Sequence, residues 1–305
     1  MRIGIHTSIA GSFEKAALKA AELGANTFQI FSASPRMWRA SMPRHDDIAA
    51  LRRARERLDL YPLAIHANYL INLASLDPVI REKSIDGFRG ELARAAAIGA
   101  EYLVTHPGSC KGQSVEQAIA AFALGMAEAA KRCADSGLTV LLENTAGSGF
   151  HLGCRLDELR LIRDLVARET DLKVGYCLDT CHLLASGCDI ATKPGLEKTI
   201  AEADCVLGLE NVKVIHANDS KTPLGSHRDR HANIGEGHIG EGGFRRILTH
   251  AKLREKAFIL ETPVDEDGDD RRNVEMMKKL AQPKSSPTRT EKPGRRSGAS
   301  KRSAS

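Results

Sequence analysis

Eight short β-prone runs recur along this chain, each followed by a longer stretch with helical spacing. No other feature limits the fold as strongly. The runs are "RIGIHTS", "TFQIFSA", "LAIHANY", "EYLVTHPG", "TVLLENT", "VGYCLDTCH", "VKVIHAND" and "AFILETP". Between them lie segments such as "GSFEKAALKAAELGAN" and "SIDGFRGELARAAAIGAE", with apolar residues three and four apart and a glycine near the last turn. Regular strand–helix alternation predicts a parallel sheet with helices outside it. Eight such units in about 280 residues match a closed (β/α)8 barrel, the TIM barrel. An open doubly wound sheet is the alternative, but no glycine-rich dinucleotide loop follows the first run. The expectation is one α/β barrel domain over residues 1–282.

The remainder, residues 283–305, reads "PKSSPTRTEKPGRRSGASKRSAS" and holds almost nothing apolar, so it is expected to be a disordered basic tail. The net charge of +5 belongs to it: seven Lys or Arg face one acidic residue there, leaving 37 basic and 38 acidic residues in the body. A body this neutral carries no global signature of nucleic-acid binding, and the tail is read as solvated, with non-specific attraction to polyanions as the alternative. No apolar run approaches the roughly 20 residues of a bilayer span, which predicts no membrane partner. The start "MRIGIHTS" enters a β-prone run at once, and the seven cysteines have no small-domain spacing. Together these predict a cytoplasmic protein with reduced thiols.

The residues capable of chemistry fall at the ends of the runs. His66 ends "LAIH", His106 "LVTH", Glu143 "LLE", Asp179 "YCLD", His216 "KVIH" and Glu261 "FILE". They recur at about forty residues, one strand–helix unit, and in a barrel all strand carboxyl ends meet at the face where active sites are built. Three imidazoles and three carboxylates crowd together at little cost only around a cation, because clustered carboxylates raise one another's pKa. A mixed His/Asp/Glu set suits Zn²⁺ or Mn²⁺. In "VGYCLDTCHLLASG" alternate residues share a strand face, so Cys177 lies one layer below Asp179. Cys177 and Cys181 are read as structural thiols, and His182 as the ligand. A second cluster, "SHRDRHANIGEG", offers Asp229 and His231, which with His182 make a His2Asp set. His6 is read either as a substrate or supporting contact or as a polar strand cap; His151, His227 and His238 receive no role.

These residues carry a resemblance. The stretches "IHANYLINLAS", "GYCLDTCHLLASG" and "IHANDSKTPLGSHRDRHANIGEGHIG" resemble those that mark the endonuclease IV family of apurinic/apyrimidinic endonucleases, and the likeness runs from "MRIGIHTSIAGSFEKA" to "FILETP". The resemblance implies three zinc ions, with Mn²⁺ an alternative at one or more sites. His66 and His106 would bind the first, and Glu143, the catalytic bridging residue, would join it to the second. Asp179, His216 and Glu261 would complete the second, and His182, Asp229 and His231 would hold the third. The implied partner is double-stranded DNA containing an abasic site, cut 5′ to the lesion to leave a 3′-hydroxyl and a 5′-deoxyribose phosphate. A monomer suffices, associated with the nucleoid if the source is bacterial.

DNA contacts implied by the resemblance are Arg36 and Met37 in "SASPRMWRA" and Tyr69 and Leu70 in "ANYLIN"; Arg230, beside two of the ligands, is read as a phosphate contact. An apolar side chain wedged between base steps stabilises a kink. Two positions depart from the family pattern: Met37 stands where a polar residue is common, and Asn68 where a serine is usual. The rival reading is a metal-dependent sugar isomerase or epimerase on the same barrel. It explains Glu143, Asp179, His216 and Glu261 but leaves the Asp229–His231 pair without a purpose. A non-catalytic DNA-binding scaffold, suggested by the tail, would be favoured by loss of a ligand, and none is lost.

Overall fold

All eight runs form barrel strands. The computed structural model describes residues 1–131 and 137–282; the tail expected at 283–305 lies outside the described residues. The elements in order are β1 (Arg2–His6), α1 (Phe13–Glu22), β2 (Thr27–Phe31), α2 (His45–Leu58), β3 (Leu63–His66), α3 (Pro78–Ile98), β4 (Tyr102–Thr105), α4 (Val115–Ala130) and β5 (Thr139–Glu143). There follow α5 (Leu156–Glu169), β6 (Val174–Asp179), α6 (Thr180–Ser186), α7 (Lys193–Leu207), β7 (Val212–His216), β8 (Asp219–Ser220), β9 (His231–Ala232), α8 (Gly240–Thr249), β10 (Ala257–Leu260) and α9 (Asp269–Ala281). The parallel strands close in the order β1-β10-β7-β6-β5-β4-β3-β2. β8 and β9 pair antiparallel outside the barrel, inside what the sequence presented as a plain loop.

Two cores follow from strand alternation. Outward residues such as Ile5, Phe28, Ile65, Leu103, Leu142 and Phe258 pack under the helices. Inward residues Ala64, Val104, Leu141, Cys177, Val214 and Ile259 fill the barrel. Each of these six stands two positions before a reactive residue: His66, His106, Glu143, Asp179, His216 and Glu261. Because side chains of a strand repeat every second residue, all six reactive groups top one apolar layer at the carboxyl-terminal rim. Cys177 occupies that layer, fully buried, as the alternation required. Gly4 is needed where β1 passes β2, since a Cβ there would lie 1.9 Å from the Thr27 carbonyl oxygen.

Local signals set the helix ends. Asp77 caps α3 by accepting from the Val79 and Ile80 amides, with Pro78 in its first turn. This starts α3 six residues ahead of the apolar repeat that begins at Ser84. Gly99 ends it with φ +78°. A reciprocal Ser114–Gln117 pair opens α4. Asp179 caps α6 through the His182 amide (2.7 Å), which fixes His182 one turn beyond the strand that carries Asp179.

Candidate metal centre

Glu143, fully buried at the end of β5, is the centre of the rim. Its Oε2 faces His106 Nε2 at 3.1 Å and His66 Nε2 at 3.3 Å. Its Oε1 faces His216 Nδ1 at 3.1 Å and His182 Nδ1 at 3.4 Å. One carboxylate thus turns an oxygen toward each of two groups. Three sets have ligand atoms all within 4.8 Å of one another: His66, His106 and Glu143; Glu143, Asp179, His216 and Glu261; and His182, Asp229 and His231. In the third, Asp229 lies 3.1 Å from His182 Nε2 and 3.2 Å from His231 Nε2. All nine residues singled out from the sequence therefore converge. A further grouping, Asp179, Cys181 and His231, meets the same distance. It brings a thiol beside two of the nine.

Neighbouring groups fix the imidazoles. Nδ1 of His66 bonds the Ala67 carbonyl (2.8 Å), that of His182 the Asn144 carbonyl (2.9 Å), and that of His231 the Glu261 carbonyl (3.0 Å). A proton held on Nδ1 leaves Nε2 as the lone-pair atom, the arrangement typical of metal-ligating histidines. His216 is reversed: its Nε2 meets Gln29 Oε1 at 3.0 Å, and Nδ1 faces the carboxylates.

The sequence reading missed the residues that hold the carboxylates. Gln29 donates to Glu261 Oε1 (2.5 Å). Asn218 donates to Asp179 Oδ2 (2.6 Å) while accepting from the Glu261 amide (2.8 Å). Asn144 accepts from the Asp179 amide (2.7 Å). Gln29 is an amide at an inward position of β2, and that was the available signal. His6 faces the site, with Nδ1 3.1 Å from Gln29 and 3.6 Å from Glu261 Oε1.

Four carboxylates and five imidazoles meet here, and among the described residues no Lys or Arg makes an ion pair with any of them. Burial opposes charge on Glu143, His182, His216 and His231. For Glu143 the neighbouring His216 and His106 outweigh burial and hold the carboxyl well below its usual range. Against burial, Asp179 raises His182, while Glu261 and Glu143 raise His216. His231, opposed by burial and favoured by the Asp229 carboxylate 3.2 Å away, is raised to about 9. His231 Nε2 is buried, and Asp229 at 3.2 Å does not meet it in hydrogen-bond geometry. Nitrogen and carboxylate donors with an unpartnered lone pair among them fit a borderline divalent cation. The thiols of Cys177 and Cys181 are pushed up to about 12 by burial, as expected of structural cysteines.

The expected DNA contacts lie in loops leaving the same rim. Arg36 and Met37 follow β2, Tyr69 and Leu70 follow β3, and Arg230 precedes β9; all are exposed. Tyr69 is 62% exposed, yet its ring centroid is 5.2 Å from that of His66 and 5.3 Å from that of Phe31. Two of these loops are joined: Asn68 donates to the Met37 carbonyl (2.5 Å) and accepts from the Leu70 amide (2.8 Å). A cavity of about 300 Å³ opens beside the rim, walled by His6, Phe31, Tyr69, His231 and Glu261. None of the described helices is long and apolar enough to cross a membrane.

Residues 17–280 match the family described as the xylose isomerase-like TIM barrel. The chain is 67% identical over 281 residues to "Probable endonuclease 4" of Solibacter usitatus, covering 92% of this chain and 97% of that one. It superimposes on the crystal structure of endonuclease IV from Thermus thermophilus with a TM-score of 0.81 and 38% identity, covering 92% and 98% of the two chains. A D-tagatose 3-epimerase-like protein matches at 20% identity and a TM-score of 0.66, over 92% and 97%, a likeness of fold alone.

Proposed function

The chain belongs to the endonuclease IV family, and from that premise we propose that it is a zinc-dependent apurinic/apyrimidinic endonuclease of base-excision repair. It hydrolyses the phosphodiester 5′ to an abasic site and leaves a 3′-hydroxyl and a 5′-deoxyribose phosphate. The observation that carries the reading is Glu143 turning one oxygen to His66 and His106 and the other to His216. In this reading His66, His106 and Glu143 hold one cation; Glu143, Asp179, His216 and Glu261 the second; and His182, Asp229 and His231 the third. The ions are Zn²⁺, with Mn²⁺ the alternative at one or more positions. When bound, such ions supply Lewis acidity toward phosphate oxygens and water.

The chain's own residues do the rest. Glu143 keeps two cation positions adjacent, and Gln29 and Asn218 hold Glu261 and Asp179 so that neither carboxylate must reorganise during the reaction. Phe31 and Tyr69 give the neighbouring cavity an apolar wall suited to an extruded sugar that carries no base. A baseless nucleotide has less stacking and no pairing to lose on extrusion, which favours the lesion over intact DNA. Met37, Tyr69 and Leu70 stand where they can wedge into the kinked duplex, and Arg36 and Arg230 where they can meet phosphates. The catalytic unit is residues 1–282, acting as a monomer in the cytoplasm.

The sugar-isomerase rival shares the barrel but has no task for Asp229 and His231. Incubation of the purified protein with a duplex bearing one synthetic abasic site, beside ketose and aldose panels, separates the two. Incision 5′ to the lesion, lost with a chelator and restored by Zn²⁺, is expected. Turnover of a sugar with no incision would overturn the proposal.

A further inference from the structure

Asp229 differs from the other carboxylates of the rim. Asp179 is held by Asn218 and by the His182 amide, and Glu261 by Gln29. Among the described residues the Asp229 carboxylate is met only by the imidazoles of His182 and His231, and it is 47% exposed. Its place must therefore come from its backbone. On one side the Lys221 amide bonds the Arg230 carbonyl (2.8 Å) as the segment runs into the β8–β9 pair. On the other stands His227.

His227 ties three segments together. Its amide donates to the Ala185 carbonyl of α6 (2.9 Å), and the nearby Gly225 amide donates to Leu184 (3.0 Å), so the arm satisfies carbonyls at the end of the helix that carries His182. Its ring Nδ1 donates to the Ala146 carbonyl (3.2 Å), and its own carbonyl accepts from Ser148 Oγ (2.7 Å), both in the loop that leaves Glu143. The ring packs so closely on this loop that a Cβ on Gly147 would lie 2.9 Å from Nδ1. His227 also has φ +53°, a left-handed conformation uncommon for a residue with a side chain. Such a residue persists where its surroundings over-determine it.

We propose that His227 is a positioning residue for the third cation: by clamping the arm to α6 and to the loop after β5, it places Asp229 opposite His182. This rests on the three-cation reading above. Its signature is selective weakening of one cation position rather than general loss of fold.

The test is Zn²⁺ titration of the metal-stripped full chain against a chromophoric chelator. Three equivalents in the wild type are the reading's own requirement; fewer would sink that reading whatever the variants do. His227→Ala should weaken one equivalent by about tenfold or more, the range for groups that orient metal ligands, and leave two unchanged. His227→Gly, which accepts the backbone angle but lacks the ring, should stay weakened. His227→Asn tolerates the angle and offers an amide donor near the position of Nδ1, so it should recover to within about threefold. Ser148→Ala, removing the other half of the clamp, should weaken the same equivalent to a lesser degree. Wild-type affinity in His227→Ala, equal weakening of all three equivalents, or full recovery in His227→Gly would each overturn the proposal.

Discussion

At the scale of single residues, Glu143 carries the largest consequence. Glu143→Gln keeps the volume but removes one of the two anionic oxygens that face separate sets. Single-turnover incision is expected to fall by at least about a hundredfold, while affinity for abasic duplex, measured by anisotropy, changes little. Incision near the wild-type rate would show that the carboxylate does not bridge. The imidazoles give a second expectation. In the metal-stripped chain His231 is raised from 6.5 to about 9, and His182 and His216 shift the same way. A group whose folded pKa is raised contributes stability in full below its unfolded value and loses it as pH rises through the folded one. The unfolding midpoint of the metal-stripped chain should therefore fall between pH 6.5 and about 9. The Zn²⁺-loaded chain should instead weaken on acidification, as protons compete for the same nitrogens. A metal-stripped midpoint that rises across that window would refute the assignment.

At the scale of elements, strand ends were legible because a barrel imposes period-two alternation. Once Leu141 points inward, Glu143 does too, and the same holds for Cys177 and Asp179. Asn218 and Gln29 were not legible as supporting groups, because their partners lie on strands far away in sequence and the amide type alone names no partner. The β8–β9 pair was hidden for another reason. Two residues per strand leave no periodic trace, and the segment after β9 is held by Asp219, whose carboxylate accepts from the amides of Gly235, Gly237, Ile239 and Gly240. Asn68 bridges two loops of the rim. It joins the loop after β2 to the loop after β3, so Asn68→Ala should free both. The expected result is a KM for abasic duplex raised by about three- to tenfold with kcat within about twofold, since uniform binding is lost and not the chemical step. A fall in kcat at unchanged KM would place Asn68 in the chemistry instead.

At the scale of the whole molecule, fold class and strand count follow from the alternation of β-prone runs and helical stretches, and the neutral body follows once the tail is set aside. Neither tells which ions are held, because Zn²⁺ and Mn²⁺ accept the same nitrogen and oxygen donors. Deleting residues 283–305 should lower non-specific DNA affinity and flatten its dependence on salt, with single-turnover incision unchanged. A large loss in that step would make the tail part of the active site.

The ring closes when β10 settles between β1 and β7, and Glu261 stands immediately after β10. A nascent chain still lacking that last strand has no complete second set, however well its earlier strands have folded. On the three-cation reading, a nuclease wired in this order stays unarmed on the ribosome, and its capacity to cut DNA arrives only with its final strand.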